Sequence, residues 1–115
     1  DQLKRVSIQF PDPWFKKRHQ KRRVLSLPFL FALASALSPG SELFLQSDVL
    51  TVINSMVEII HDSGCFERVI NSSDGWLKNS PYKVSTEREE YAKDKGIPIY
   101  RTLFLRNNKI LGNFI

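Results

Sequence analysis

At 115 residues and 13.3 kDa the chain is long enough to build one hydrophobic core. A hydrophobic share of 42% with few Gly or Pro excludes a disordered chain, and Cys65, the single cysteine, excludes an intramolecular disulfide or a cysteine zinc cluster. No apolar run approaches the ~20 residues needed to span a bilayer, and the net charge of +5 is concentrated in residues 16–23, a patch suited to nucleic acid or an acidic surface.

The first predicted element is a strand, because Val6, Ile8 and Phe10 alternate with Ser7 and Gln9. It runs into Pro11-Asp12-Pro13, where two prolines fix the backbone on either side of Asp12 and forbid a helix. Asp12 therefore falls on a rigid corner at the carboxyl end of a strand, the edge where open α/β sheets bind ligands. Six of the eight residues from Lys16 to Arg23 are Lys or Arg, a run that repels itself unless an anion or water neutralises it. Ser26 is the expected N-cap of the next element, with Pro28 in the first turn and Leu27, Leu30, Phe31, Ala34 and Leu37 at helical spacing. This helix is apolar enough to be largely buried, and it is expected to stop at Ser38-Pro39-Gly40.

Glu42–Gln46 reads as a second strand ending at Ser47-Asp48, and the apolar spacing of Val52, Ile53, Met56, Val57, Ile59 and Ile60 predicts a helix closed by Gly64. Asp48 sits at or beside its N-cap, so capping alone is the plain reading of that residue. Cys65 is expected to be a small apolar filler at the helix end. A third strand over Phe66–Asn71 leads to a polar loop that Trp76 and Tyr82 should pin to the body. Thr86-Glu87-Arg88-Glu89 has the spacing of a capping box opening a short helix toward Lys95-Gly96, and Ile99–Leu105 is the last strand. The sum is an α/β fold of about four strands, the last antiparallel, with helices packed on the sheet, as in the second half of a doubly wound sheet.

Two carboxylates, Asp12 and Asp48, thus share one ligand-binding edge. A pair of acids can serve acid–base chemistry or hold a metal, but the third acid of a convincing metal site is missing, so no metal is expected. His19, inside the basic run, has no partner acid in sequence and reads as a surface contact. Trp14 and Phe15 beside the cations suit nucleic acid, since phosphates pair with the charges while rings stack on bases; Trp14 serves equally well as a core anchor for the corner.

Those residues resemble the tRNA (guanine-N7)-methyltransferases. The resemblance covers Phe10–Arg23, Ser47-Asp48, Thr86–Glu89 and the Tyr100-Arg101 strand, in family order. It implies the C-terminal half of a Rossmann-like methyltransferase domain, so that residues 1–115 are one partial domain of a longer enzyme, in keeping with the absence of an initiating Met. The implied reaction is methyl transfer from S-adenosylmethionine to N7 of a guanine in tRNA. By the same resemblance Asp12 is the catalytic carboxylate, bordering the cofactor as well. Lys16, Asp48, Thr86, Glu87, Arg88 and Glu89 then face substrate, and Lys17, Arg18, His19, Lys21, Arg22 and Arg23 hold RNA.

Guanine N7 carries a free lone pair, so alignment and electrostatics suffice and no base is needed. The family's glycine-rich cofactor turn has no counterpart here, and the isolated piece is expected to bind S-adenosylmethionine poorly and to be inactive. The implied partners are tRNA and a non-catalytic subunit, with no membrane. The implied setting is intracellular, in cytoplasm, nucleus or an organelle. Two competing readings are a non-catalytic RNA-binding module using residues 16–23, and an interaction domain whose basic run is only a nuclear signal.

Overall fold

The computed structural model describes residues 3–9, 25–70, 74–78, 81–82 and 86–111. The elements in chain order are β1 (Leu3–Gln9), α1 (Leu27–Ala36), β2 (Leu37–Ser47), α2 (Leu50–Ser63), β3 (Phe66–Val69), α3 (Glu87–Lys95) and β4 (Tyr100–Arg106). The strands form one sheet in the order β1-β2-β4-β3. β1 and β2 are parallel, whereas β4 lies antiparallel to both β2 and β3. The three strands that precede β4 therefore run the same way, and their carboxyl ends share one edge with the start of β4. This is the α/β half-sheet with an antiparallel last strand that the sequence predicts.

Local chemistry explains most boundaries. Ser26 accepts a hydrogen bond from the Phe29 amide at 3.3 Å, and the proline in the first turn costs no helical hydrogen bond, so α1 starts at Leu27. α2 ends because Gly64 adopts φ 70°, a left-handed conformation that a side chain would disfavour. Cys65 follows it, fully buried in the core. At the start of α3, Thr86 accepts from the Glu89 amide and Glu89 accepts from the Thr86 amide, both at 3.1 Å, which completes the expected capping box.

Three expectations change. Ser38-Pro39-Gly40 does not form a turn after α1; it lies inside β2, which begins at Leu37. Leu3 faces Leu37 while Arg5 faces Glu42, so β2 carries a bulge here, and Gly40 at φ 90° provides its positive dihedral. Glycine and proline next to a helix end signal a turn and a bulge equally well, which is why the sequence misleads. Second, α1 is not largely buried. Leu30 and Ala34 face the core, but Leu27 and Phe29 remain 36% and 47% exposed, because among the described residues α1 is covered only on the side of β2 and α2. Third, β3 stops at Val69, and Asn71 lies outside the described residues.

Both α1 and α2 cover the same face of the sheet. There Leu30, Ala34, Val52, Ile53, Met56 and Ile60 pack on Leu43, Leu45 and Phe104, and burying each of these side chains larger than alanine contributes roughly 1.5–3 kcal/mol. The opposite face carries Phe44 and, toward the carboxyl edge, Gln46 and Arg101. Tyr82 stands edge-on to Phe44 with ring centroids 5.0 Å apart, donates to Glu42 at 3.0 Å and lies under the Arg5 guanidinium at 4.0 Å. Burial, with Glu42 as acceptor and as a nearby charge, pushes its phenol up to about 12, so it stays a donor at neutral pH. Trp76 packs against the core, edge-on to Tyr100 and beneath Arg68. The two aromatics pin the polar loop as expected.

Candidate active site at the carboxyl edge of the sheet

Gln9 ends β1 and Gln46 lies beside it near the end of β2; the Gln46 amide donates to Gln9 Oε1 at 3.0 Å. From the neighbouring start of β4, Arg101 donates through Nε to Gln46 Oε1 at 2.7 Å, through Nη2 to Glu89 Oε2 at 3.2 Å, and through Nη1 to the Lys78 carbonyl at 3.1 Å. Gln46, Glu89 and Arg101 are all buried, and each finds partners, as buried polar groups must. A continuous polar network therefore ties the ends of β1 and β2, the loop at Lys78 and the first turn of α3.

Asp48 does not cap α2. Val49 occupies the cap position, and the Ser47 hydroxyl accepts from the Val49 amide at 3.0 Å. The Asp48 carboxylate instead pairs with Arg88 Nη2 at 2.6 Å. That pair joins residues 40 apart in sequence and brings Asp48 against Thr86–Glu89, two groups that the resemblance assigns to one site.

Within that turn the residues have separate jobs. Glu89 has one oxygen on the Thr86 amide and the other on Arg101, so its side chain organises the turn. Glu87 and Arg88 are exposed, and Arg88 also lies over the Tyr91 ring at 5.4 Å. Burial alone would raise the Glu89 carboxyl, but the Thr86 amide, the side chains of Arg101 and Gln46 and the Arg101 charge outweigh it, leaving its pKa below the ordinary 4.5. A depressed carboxylate contributes stability that is fully present above its unfolded value and is lost as pH falls through the folded one. Denaturation of wild type and Glu89→Gln should therefore differ by a constant amount at neutral pH, with the gap narrowing below about pH 4.5. A gap that does not change down to pH 3 would show that the fold does not favour the ionised form of Glu89 over the unfolded chain.

Asp12, Lys16, Lys17, Arg18, His19, Lys21, Arg22 and Arg23 lie outside the described residues. Gln9, three residues before Asp12 in sequence, stands on the carboxyl edge. Arg101, Gln46 and Gln9 were not among the sequence-derived site residues; only the place of Arg101 in the family-like strand hinted at it. A cavity of about 460 Å³ lies elsewhere, between α2 and β3, lined by Val57, His61, Phe66, Arg68 and Ile70 among others, and none of the described site residues borders it. Among the described residues no three His, Cys, Asp or Glu side chains gather as metal ligands would, and no helix is long and apolar enough to cross a membrane. The described glycines at 40, 64, 75 and 96 form no Gly-x-Gly turn between a strand and a helix.

A family model described as "Putative methyltransferase" matches residues 1–102, which sets the class. The curated relatives are narrower in name. A "tRNA (guanine-N(7)-)-methyltransferase" of Prochlorococcus marinus (strain MIT 9313) is 61% identical over 109 residues, covering 95% of this chain and 46% of that protein. Proteins of the same name from Synechococcus sp. (strain CC9902) and Synechococcus elongatus are 56% and 53% identical, over 94% and 90% of the chain and 46% and 47% of their own lengths. The chain belongs to the family that this model describes, the putative methyltransferases. It spans about half the length of the curated relatives it matches.

Proposed function

We propose that this chain supplies the substrate side of an enzyme that transfers a methyl group to N7 of a guanine in tRNA, with S-adenosylmethionine as the donor. The observation that carries the reading is the Arg88–Asp48 pair at the carboxyl edge. It joins Asp48 to the α3 turn beside the strand end that leads to Asp12. In this reading residues 1–115 are one partial domain, and the donor's main pocket is built by chain outside them. Asp12 and Asp48 hold the guanine edge, and the favourable electrostatics of a carboxylate near a purine gaining positive charge take the place of a general base. Lys16 and residues 17–23 hold the phosphate backbone, giving a salt-dependent affinity. The working compartment is wherever tRNA is matured.

The test uses the full-length protein that carries this chain, a tRNA transcript and methyl-labelled S-adenosylmethionine, with nucleosides separated by mass spectrometry. Label should appear as 7-methylguanosine and should vanish when the transcript is made with 7-deazaguanosine, which lacks the N7 lone pair. Label persisting in the 7-deaza transcript would place the methyl group on another atom and refute the reading. RNA binding without any methyl incorporation would favour the non-catalytic RNA-binding module.

A further inference from the structure

Arg101 is an unusual occupant of its position. It sits inside β4, only 6% exposed, between Tyr100 and Thr102, and its guanidinium reaches acceptors from three separate segments: Gln46 on β2, Glu89 on α3 and the Lys78 carbonyl in the loop. Its own carbonyl accepts from the Leu77 amide at 2.8 Å, so the loop is held twice. Through Gln46 the chain of hydrogen bonds continues to Gln9 at the end of β1. A buried ion pair is poor value as a stabiliser, since well-packed apolar side chains of the same volume often stabilise as much or more. What an apolar cluster cannot do is fix several segments in one register. A planar guanidinium with donors at set angles can.

We propose that Arg101 is a positioning residue for methyl transfer. It touches neither base nor donor. It sets the α3 turn, and with it Arg88 and the Asp48 carboxylate paired to Arg88, against the carboxyl ends of β1 and β2. This rests on the reading under "Proposed function" and names a residue that reading does not require. A displacement of about 1 Å at the reacting groups can cost on the order of 100-fold in rate, so losing the fork should appear in turnover more than in binding.

The experiment compares wild type, Arg101→Lys and Arg101→Met in the full-length protein for kcat, for KM toward a tRNA transcript and for melting temperature. Rates are taken well below the lowest melting point. Arg101→Lys keeps a cation against Glu89 but cannot reach Gln46, Glu89 and Lys78 together. The expected result is a melting temperature close to wild type with kcat down about 10-fold, while Arg101→Met loses about 100-fold. KM for tRNA should stay within about threefold in both. Should Arg101→Met not fold, Gln46→Met carries the same test, because it removes the β2 link and leaves the Arg101–Glu89 pair; about 10-fold in kcat is expected. Folded Arg101→Lys or Gln46→Met with unchanged kcat overturns the inference, as does a loss of kcat that only follows the unfolded fraction. A wild type that makes no 7-methylguanosine overturns the underlying reading as well, whereas an active wild type with unaffected variants overturns this inference alone.

Discussion

Glu89→Ala should destabilise the fold by about 3–5 kcal/mol, because it strips a buried guanidinium of its counter-charge. Arg101 would keep Gln46 and the Lys78 carbonyl as acceptors, yet its positive charge would have no ionised partner within reach among the described residues. The same substitution removes half of the capping box, leaving the Thr86 amide without the Glu89 oxygen it now donates to. Glu87→Ala, two residues away in the same helix and exposed, should cost only a few tenths of a kcal/mol, the size of a carboxylate's interaction with the helix dipole. Urea denaturation of the two variants beside wild type gives the comparison. A Glu89→Ala loss below about 1 kcal/mol would mean that water reaches Arg101 and that the network is not closed.

The second large effect is expected on rate. Asp12→Asn should lower single-turnover methyl transfer in the full-length protein by roughly 100- to 1000-fold, the size seen when one preorganised electrostatic group is taken from a transition state. The substitution is nearly isosteric, so the size of the side chain is kept and the charge is lost. Affinity for tRNA should hardly change, because that rests on cations neutralising phosphates. Reversing charge at Lys16, Lys17, Arg22 and Arg23 should give the opposite pattern, with weaker tRNA binding, a shallower dependence on salt and little change in rate at saturation. An Asp12→Asn protein with the wild-type single-turnover rate would take Asp12 out of the chemistry.

Features set by neighbours a few residues apart were readable in the sequence. The Ser26 cap, the Gly64 stop, the apolar spacing of α2 and the Thr86–Glu89 box all follow from rules that act over one helical turn, and each stands as expected. Asp48 shows where such rules give out. Its position beside a helix start suggests a cap, but Ser47 takes the amide and a guanidinium 40 residues away takes the carboxylate. Arg101 was harder still. In a strand, a charged residue suggests the solvent face. Here it is buried because Gln46, 55 residues back, and Glu89, 12 residues back, converge on it. The grouping of Asp48 with the α3 turn came from the family resemblance, and the Arg88 pair gives that grouping its physical form.

The insertion of β4 between β2 and β3 also orders events during synthesis. β1, α1, β2 and α2 can pair and pack as they leave the ribosome, since β2 finds β1 and α2 finds α1 already made. β3 has no such neighbour, because the strand that will flank it starts about 30 residues later. At ordinary elongation rates it waits roughly 2–6 seconds as an unpaired edge. When β4 arrives it joins the two halves of the sheet and carries the Arg101 guanidinium into place in the same movement. Closing the sheet and completing the polar network at its carboxyl edge are therefore a single late step.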